Sequence, residues 1–324
     1  MKRINKIIAS TLMLCLFAAG GIMAQQEAQY TNFMFNKLPL NPGYAGSKEV
    51  ACVSALHRSQ WVGIDSAPTT QTVNFHTPLF NQRVGLGLGI IHDQLGLTNN
   101  WRGNISYSYR PKIGKGHLGI GVTGSVISHG YQGHRANTVQ FNDPSVHYNA
   151  VQRYYPNFGA GLYYNTNSFY AGISIPSLLR QEIDYSEQGI QDANYYSYRD
   201  RRHVYAMFGG LLDINEKIQF KPAVLIKHVG GDNVSDRDIA APFDMDINAM
   251  FLFLEAFGIG ATWRLGDSVD FLASFQAAEQ FRIGLGYDYS LNELQDFSNG
   301  SYELMLEYCF HNRNKKLLNP RFFF

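Results

Sequence analysis

Between residues 49 and 310 the sequence alternates apolar with polar or small residues, and no stretch there approaches the roughly 18–20 consecutive apolar residues of a membrane helix. Fourteen period-two segments stand at 49–57, 68–79, 83–93, 99–110, 116–129, 156–165, 168–175, 202–213, 216–229, 244–254, 256–264, 268–277, 280–290 and 301–310. The gaps between them constrain the fold further. Short ones (80–82, 111–115, 166–167, 214–215, a turn near Glu255, 278–279) alternate with longer ones (58–67, 94–98, 130–155, 176–201, 230–243, 291–300), and 265–267 is the one short exception. A soluble sandwich has no reason to keep that parity. A bacterial outer-membrane barrel does, because its periplasmic turns are short and its extracellular loops long.

The faces agree. In the last segment Tyr302, Leu304, Leu306, Tyr308 and Phe310 fall on one side, and Glu303, Met305, Glu307 and Cys309 on the other. Ile283, Leu285, Tyr287 and Tyr289 alternate with Arg282, Gly284, Gly286 and Asp288 in the same way. Lipid requires the first set, and closing the sheet satisfies every backbone N–H and C=O where water is absent. Charged residues make up only 16% and aromatics 14% of the chain, against about 25% charge in average proteins. The expected fold is all-β, an antiparallel transmembrane β-barrel of fourteen strands. Twelve is the alternative if the first segment or the pair around Glu255 is misread.

The N-terminus reads as a signal peptide over 1–24. Lys2, Arg3 and Lys6 precede an apolar run from Ile7 to Phe17, and small residues lead to a cleavage point after Ala24. Cys15 follows the bulky Leu14 and makes a poor lipoprotein acceptor. Cleavage removes three cations and no anion, taking the formal net charge from +1 to −2 and removing any electrostatic case for nucleic acid. The remaining divisions are an N-terminal periplasmic segment over 25–48, the barrel over 49–310 and a periplasmic tail over 311–324. The tail starts polar and ends Asn319, Pro320, Arg321, Phe322, Phe323 and Phe324. Because the last strand already closes on Phe310, this end is expected to fold back on the periplasmic rim or into the lumen, or to dock on a partner.

No motif for chemistry stands above its structural alternative. Gly119-Ile-Gly121-Val-Thr-Gly124 matches the dinucleotide fingerprint, but Ser125-Val-Ile-Ser continues a strand where the fingerprint needs a helix. Small residues on a barrel's inner wall explain it better, and Gly85-Leu-Gly87-Leu-Gly89 reads the same way. The acids Asp232, Asp236 and Asp238 lack calcium-loop spacing, and His129, His134 and His147 lack partners at zinc-ligand spacing. No nucleophile–base motif is present, so no catalytic, cofactor or metal residue is assigned. Cys52 and Cys309 fall on the first and last strands toward the same end. A disulfide would staple the seam if their Cα atoms came within about 4.4–6.8 Å; otherwise they are two small buried residues at unrelated heights.

Four blocks, QYTNFMFNKLPLNPGYAG (29–46), RSQWVGIDSAPTT (58–70), GLGLGIIHDQLG (85–96) and NPRFF (319–323), together resemble the PorP/SprF family of outer-membrane proteins of the type IX secretion and gliding apparatus. Gly43 departs from the Ala usual after Asn-Pro, and Ser66 stands where Gly is common. The resemblance implies a non-enzymatic barrel that works in protein secretion without a cofactor. Its implied partners are periplasmic-ring and peptidoglycan-binding parts of the machine, or a secreted adhesin. The residues that could carry such contacts, or hold the family's motifs in place, are Asn41, Pro42 and Gly46 at or plugging the periplasmic mouth, Arg58, Gln60 and Trp61 just after the first strand, and Asn319 to Phe323 in the tail. A small-solute porin is the alternative function. It is disfavoured because a porin needs a charged constriction, whereas the inner-facing positions read as Gly, Ser and Asn.

Overall fold

The computed structural model describes residues 27–136, 150–183, 198–199, 201–230 and 243–310. Its strands close into one antiparallel barrel. They are β1 (Cys52–Ser59), β2 (Thr69–Leu79), β3 (Val84–Leu95), β4 (Thr98–Tyr109), β5 (Gly116–Gln132), β6 (Ala150–Asn165), β7 (Phe169–Ile175), β8 (His203–Gly210), β9 (Ile218–Val229), β10 (Asp244–Phe253), β11 (Phe257–Arg264), β12 (Ser268–Gln276), β13 (Phe281–Ser290) and β14 (Ser301–Cys309). Leu212–Asn215 prolongs β8 against β9. Each strand pairs with its sequence neighbours, and β1 pairs with β14, so the sheet has no free edge. All fourteen expected segments are strands. β3 and β4 run further than expected and leave only Gly96 and Leu97 between them, with Gly96 at φ +58, the left-handed conformation a tight turn needs.

Burial follows the pleat. In β14 Ser301, Glu303, Met305, Glu307 and Cys309 are buried while Tyr302, Leu304, Leu306 and Tyr308 are exposed. Outward positions elsewhere are filled by Leu86, Leu88 and Ile90 on β3, Phe251 and Phe253 on β10, and Phe271 and Phe275 on β12. An apolar exterior of this kind is unstable in water and stable in hydrocarbon.

The hydrophobic core lies inside the barrel, around the chain that precedes β1. Tyr30, Phe33, Met34, Phe35, Leu38, Leu40 and Tyr44 are buried and pack on the inward residues Leu56, Tyr163, Tyr170, Tyr205, Met207, Leu225, Met250, Leu272 and Met305. Residues 27–50 thus fill the lumen as a plug. Its backbone is a succession of turns rather than a helix: Phe35 and Asn36 donate to Asn32 O, and Leu40 and Asn41 to Lys37 O. A short 3-10 turn, Pro42–Tyr44, follows, with Pro42 at its start.

Candidate functional site

The site is the contact between plug and wall. Near the end with long loops, the plug is clasped by charge. Thr31 N and Asn32 N donate to the two carboxylate oxygens of Glu303 at 2.8 and 2.7 Å, and Asn32 Nδ2 adds a third bond at 2.9 Å. Thr31 Oγ1 donates to Asp288 at 2.7 Å. Arg58 Nη1 donates to Thr31 Oγ1, while its Nη2 stands 2.6 Å from Asp288 and its Nη1 3.6 Å from Glu303. Charge-assisted bonds among groups this deeply buried are strong, and each member is costly to leave alone. The network runs on along the wall. Arg264 reaches Asp246 at 3.2 Å, Asp270 at 3.2 Å and Asp288 at 3.6 Å, and Lys227 reaches Asp246 at 2.9 Å. Higher on the plug, Glu27 pairs with Arg102 at 2.8 Å. Burial raises the Glu27 carboxyl, but Arg102 and then His203 more than offset that, leaving it below its ordinary range.

Toward the short-turn end the plug is seated by the absence of side chains. Asn41 Oδ1 accepts from Gly43 N at 2.8 Å, while its Nδ2 donates to Leu162 O at 3.0 Å. A Cβ on Gly119 would stand 2.1 Å from Gly43 O, and one on Gly121 2.2 Å from Gly43 N. A Cβ on Gly85 would stand 1.9 Å from Ala45 O. Gly46 turns at φ +69 against the same wall glycine. The wall glycines are therefore the seats on which Asn41 to Gly46 lie. Gly124, counted with them from the sequence, has open space around its Cβ position and takes no part. Below the seat Lys48 forms an ion pair with Glu307. Lys37 lies with Nζ 3.9 Å from the Tyr170 ring centroid, and burial, then Lys221 and Lys48, holds its pKa well below the ordinary lysine range.

Gaps left between plug and wall hold about 60, 10 and 20 Å³ among the described residues, the first beside Glu27 and Arg102. The lumen also differs from the Gly, Ser and Asn surface expected of it. Arg58, Arg264, Asp246, Asp270, Asp288, Glu303 and Glu307 all line it, because the plug and neighbouring strands supply each with a counter-charge or a donor.

The sequence-derived positions fall as follows. Asn41, Pro42 and Gly46 are buried in the plug. Arg58 lies within β1, pointing into the lumen, rather than beyond the strand. Gln60 is buried, and its N–H donates to Pro68 O at 2.9 Å. Trp61 is half-buried at φ +46, and its N–H donates to Ser301 Oγ at 3.1 Å. It begins a clasp in which Val62 N donates to Gly300 O and Asn299 N to Val62 O, joining the first loop to the last over the seam. Ser66 is at φ +60, the left-handed conformation that suits Gly. Asn319, Pro320, Arg321, Phe322 and Phe323 lie outside the described residues, as do Asp232, Asp236, Asp238 and His147. Cys52 and Cys309 are joined by a disulfide, with Cα atoms 4.1 Å apart. They face each other in register, and Cys309 N donates away from β1 to Gln280 O, so the pair is of the non-hydrogen-bonded kind that brings side chains closest. Missed in the sequence were Thr31, Asn32, Asp288 and Glu303 as a set. The available signal was the placement of Asp288 and Glu303 on inward faces, with no reason given for acids there.

Residues 22–308 match the family described as type IX secretion system membrane protein PorP/SprF. The chain belongs to the PorP/SprF family. It is an outer-membrane protein. No curated protein matches the sequence. Among solved structures it is similar to a Pseudomonas aeruginosa FadL homologue (11% identity, 85% of this chain and 94% of that one, TM-score 0.48). It is also similar to the Acinetobacter baumannii outer membrane protein Omp33 (8%, 82% and 100%, TM-score 0.43) and to the KdgM porin (9%, 80% and 99%, TM-score 0.39).

Proposed function

We propose that this PorP/SprF barrel is a non-catalytic component of the type IX secretion system that binds protein partners: periplasmic parts of the machine, a secreted surface protein during export or attachment, or both. The observation that carries this over a porin is the plug. With 27–50 packed on inward residues of the wall, the gaps beside it hold about 60, 10 and 20 Å³ among the described residues, room for a few waters each rather than for a solute. Of the buried charges that could line a constriction, Arg58, Asp288, Glu303 and Glu307 bind the plug, and Arg264, Asp246 and Asp270 are paired along the wall. Nothing in the chain supplies energy, so transport work would be coupled from elsewhere.

Purification of the tagged full-length protein from its native membrane tests the reading. The expected result is copurification of periplasmic ring proteins, peptidoglycan-binding proteins or a secreted adhesin, with no steady conductance of the purified barrel in planar bilayers. A stable open channel with no copurifying protein would favour the porin.

A further inference from the structure

We propose that the tied loops at the seam are a docking surface for a basic segment of a protein partner, with Phe297 as its apolar anchor. The loops are 60–67 between β1 and β2, 265–267 between β11 and β12, and 291–300 between β13 and β14. This names the chemistry of one contact for the partner-binding reading above, and rests on that reading.

The three loops are built as one surface. Trp61 N donates to Ser301 Oγ at 3.1 Å, Val62 N to Gly300 O at 2.9 Å, and Asn299 N back to Val62 O at 2.7 Å. Leu291 N donates to Asp267 O at 2.8 Å. Asn292 caps the short 3-10 turn Glu293–Asp296 by accepting from Leu294 N at 3.0 Å, and its Nδ2 donates to Asp267 at 2.9 Å. Trp61 at φ +46 and Ser66 at φ +60 sit in the left-handed region that side chains disfavour, and a bulky residue persists there only where its surroundings over-determine it. The frame is therefore rigid before any partner arrives.

What the frame presents is apolar and acidic. Phe297 is 73% exposed on the loop beyond β13, and its carbonyl lies 3.7 Å from the Cβ position of Gly63, beside the exposed Val62. Asp65, Glu293 and Asp296 are exposed on the same loops, and 60–67, 265–267 and 291–300 contain no Lys, Arg or His. Asp267 is held by Arg264 and Asn292 and is not counted with them. Charge selects the occupant. Three carboxylates without a base repel an anionic headgroup surface, whereas they steer and orient a basic segment. Exposed charge alone holds little. The anchor does the holding: a large aromatic side chain on a pre-organised loop has little freedom left to lose on binding, and aromatics are enriched at the cores of interfaces. A segment with Lys or Arg flanking an apolar side chain fits on both counts.

Two measurements on the full-length protein test this. In phosphatidylcholine nanodiscs, with empty discs subtracted, the probe is a fluorescent peptide alternating lysine with phenylalanine. It is expected to bind about tenfold more tightly than peptides alternating glutamate with phenylalanine or lysine with serine. Phe297→Ser and Asp65→Lys/Glu293→Lys/Asp296→Lys should each weaken it about fivefold or more, while Asp213→Lys/Glu216→Lys at the short-turn end leaves it unchanged. In the native membrane the first two variants should retain about fivefold less of the protein that copurifies with the tagged wild type. Heat-modifiable migration on gels reports that each variant barrel is folded. Peptide binding indifferent to charge or to both variants, or a photo-reactive probe at Phe297 that captures lipid alone, would overturn the proposal. Undiminished copurification with the variants would also overturn it and leave the partner-binding reading standing, whereas a wild type that copurifies no protein would remove both.

Discussion

Single atoms decide whether the plug fits. At Gly85 the space a methyl would need is occupied by Ala45 O, 1.9 Å from the Cβ position, and backbone cannot yield as a flexible side chain can. Gly85→Ala must therefore lift Ala45 and Gly46 from the wall, at an overpacking cost of about 1–3 kcal/mol. Gly124→Ala, on the same barrel but meeting nothing within 4 Å, should change stability by less than about 0.5 kcal/mol. Urea unfolding of the two variants in detergent checks the contrast, and equal midpoints would mean that the glycines are not seats. The alternation Gly-Leu-Gly-Leu-Gly made the inward placement of Gly85 legible in the sequence, since a strand's period of two settles which residues share a face. What the glycines face was not legible. Their partners, Gly43 to Gly46, lie tens of residues upstream, and one sequence carries no record of that contact.

Among the elements, β1, β13, β14 and the upper plug act as one unit, because Arg58, Asp288, Glu303 and Thr31 each come from a different one of them. Arg58→Leu would leave two carboxylates buried against Thr31 and Asn32 without their cation, costing about 3–5 kcal/mol. Replacing an isolated surface arginine costs almost nothing, so the size of the loss separates the two cases. Thermal unfolding followed by heat-modifiable gel migration is the measurement, and a shift indistinguishable from wild type would remove the clasp. The same seam bears the disulfide. Cys52 and Cys309 are separated by 257 residues, so the bridge restricts a large loop of the unfolded chain and should contribute about 2–4 kcal/mol. Cys52→Ser/Cys309→Ser is expected to unfold at correspondingly lower urea than the oxidised protein, and wild type under reductant should match it. The seam was legible because antiparallel closure makes first and last strands neighbours. The heights of the two cysteines were not, since register is set by the packed faces and the turns together.

For the whole molecule the question is whether the barrel is a wall around a plug or a pore with an appendage. Strand number, closure and the outward apolar face could all be read from periodicity and gap parity, which are local signals repeated fourteen times. The plug could be read only in part: Asn41 to Gly46 were expected at the mouth or plugging it, but the rest of 27–50 has no period and its turns acquire meaning only inside the lumen. Its packing argues for the first alternative: the hydrophobic core of the molecule is the plug's own contact with the wall, not a core that exists without it. Two outcomes follow in planar bilayers. The intact protein should be electrically silent, since the remaining gaps among the described residues hold only a few waters each. Removal of 27–50 should yield either steady conductance from a barrel that keeps its heat-modifiable migration, or a barrel that no longer assembles. Glu303→Gln separates these, because it keeps the shape of the side chain while weakening the bonds to Thr31 and Asn32. It should give brief openings in a folded barrel, as the plug's upper half works loose. Silence in Glu303→Gln together with steady conductance in the intact protein would mean that 27–50 does not close the lumen, and the porin reading would then have to be taken up again.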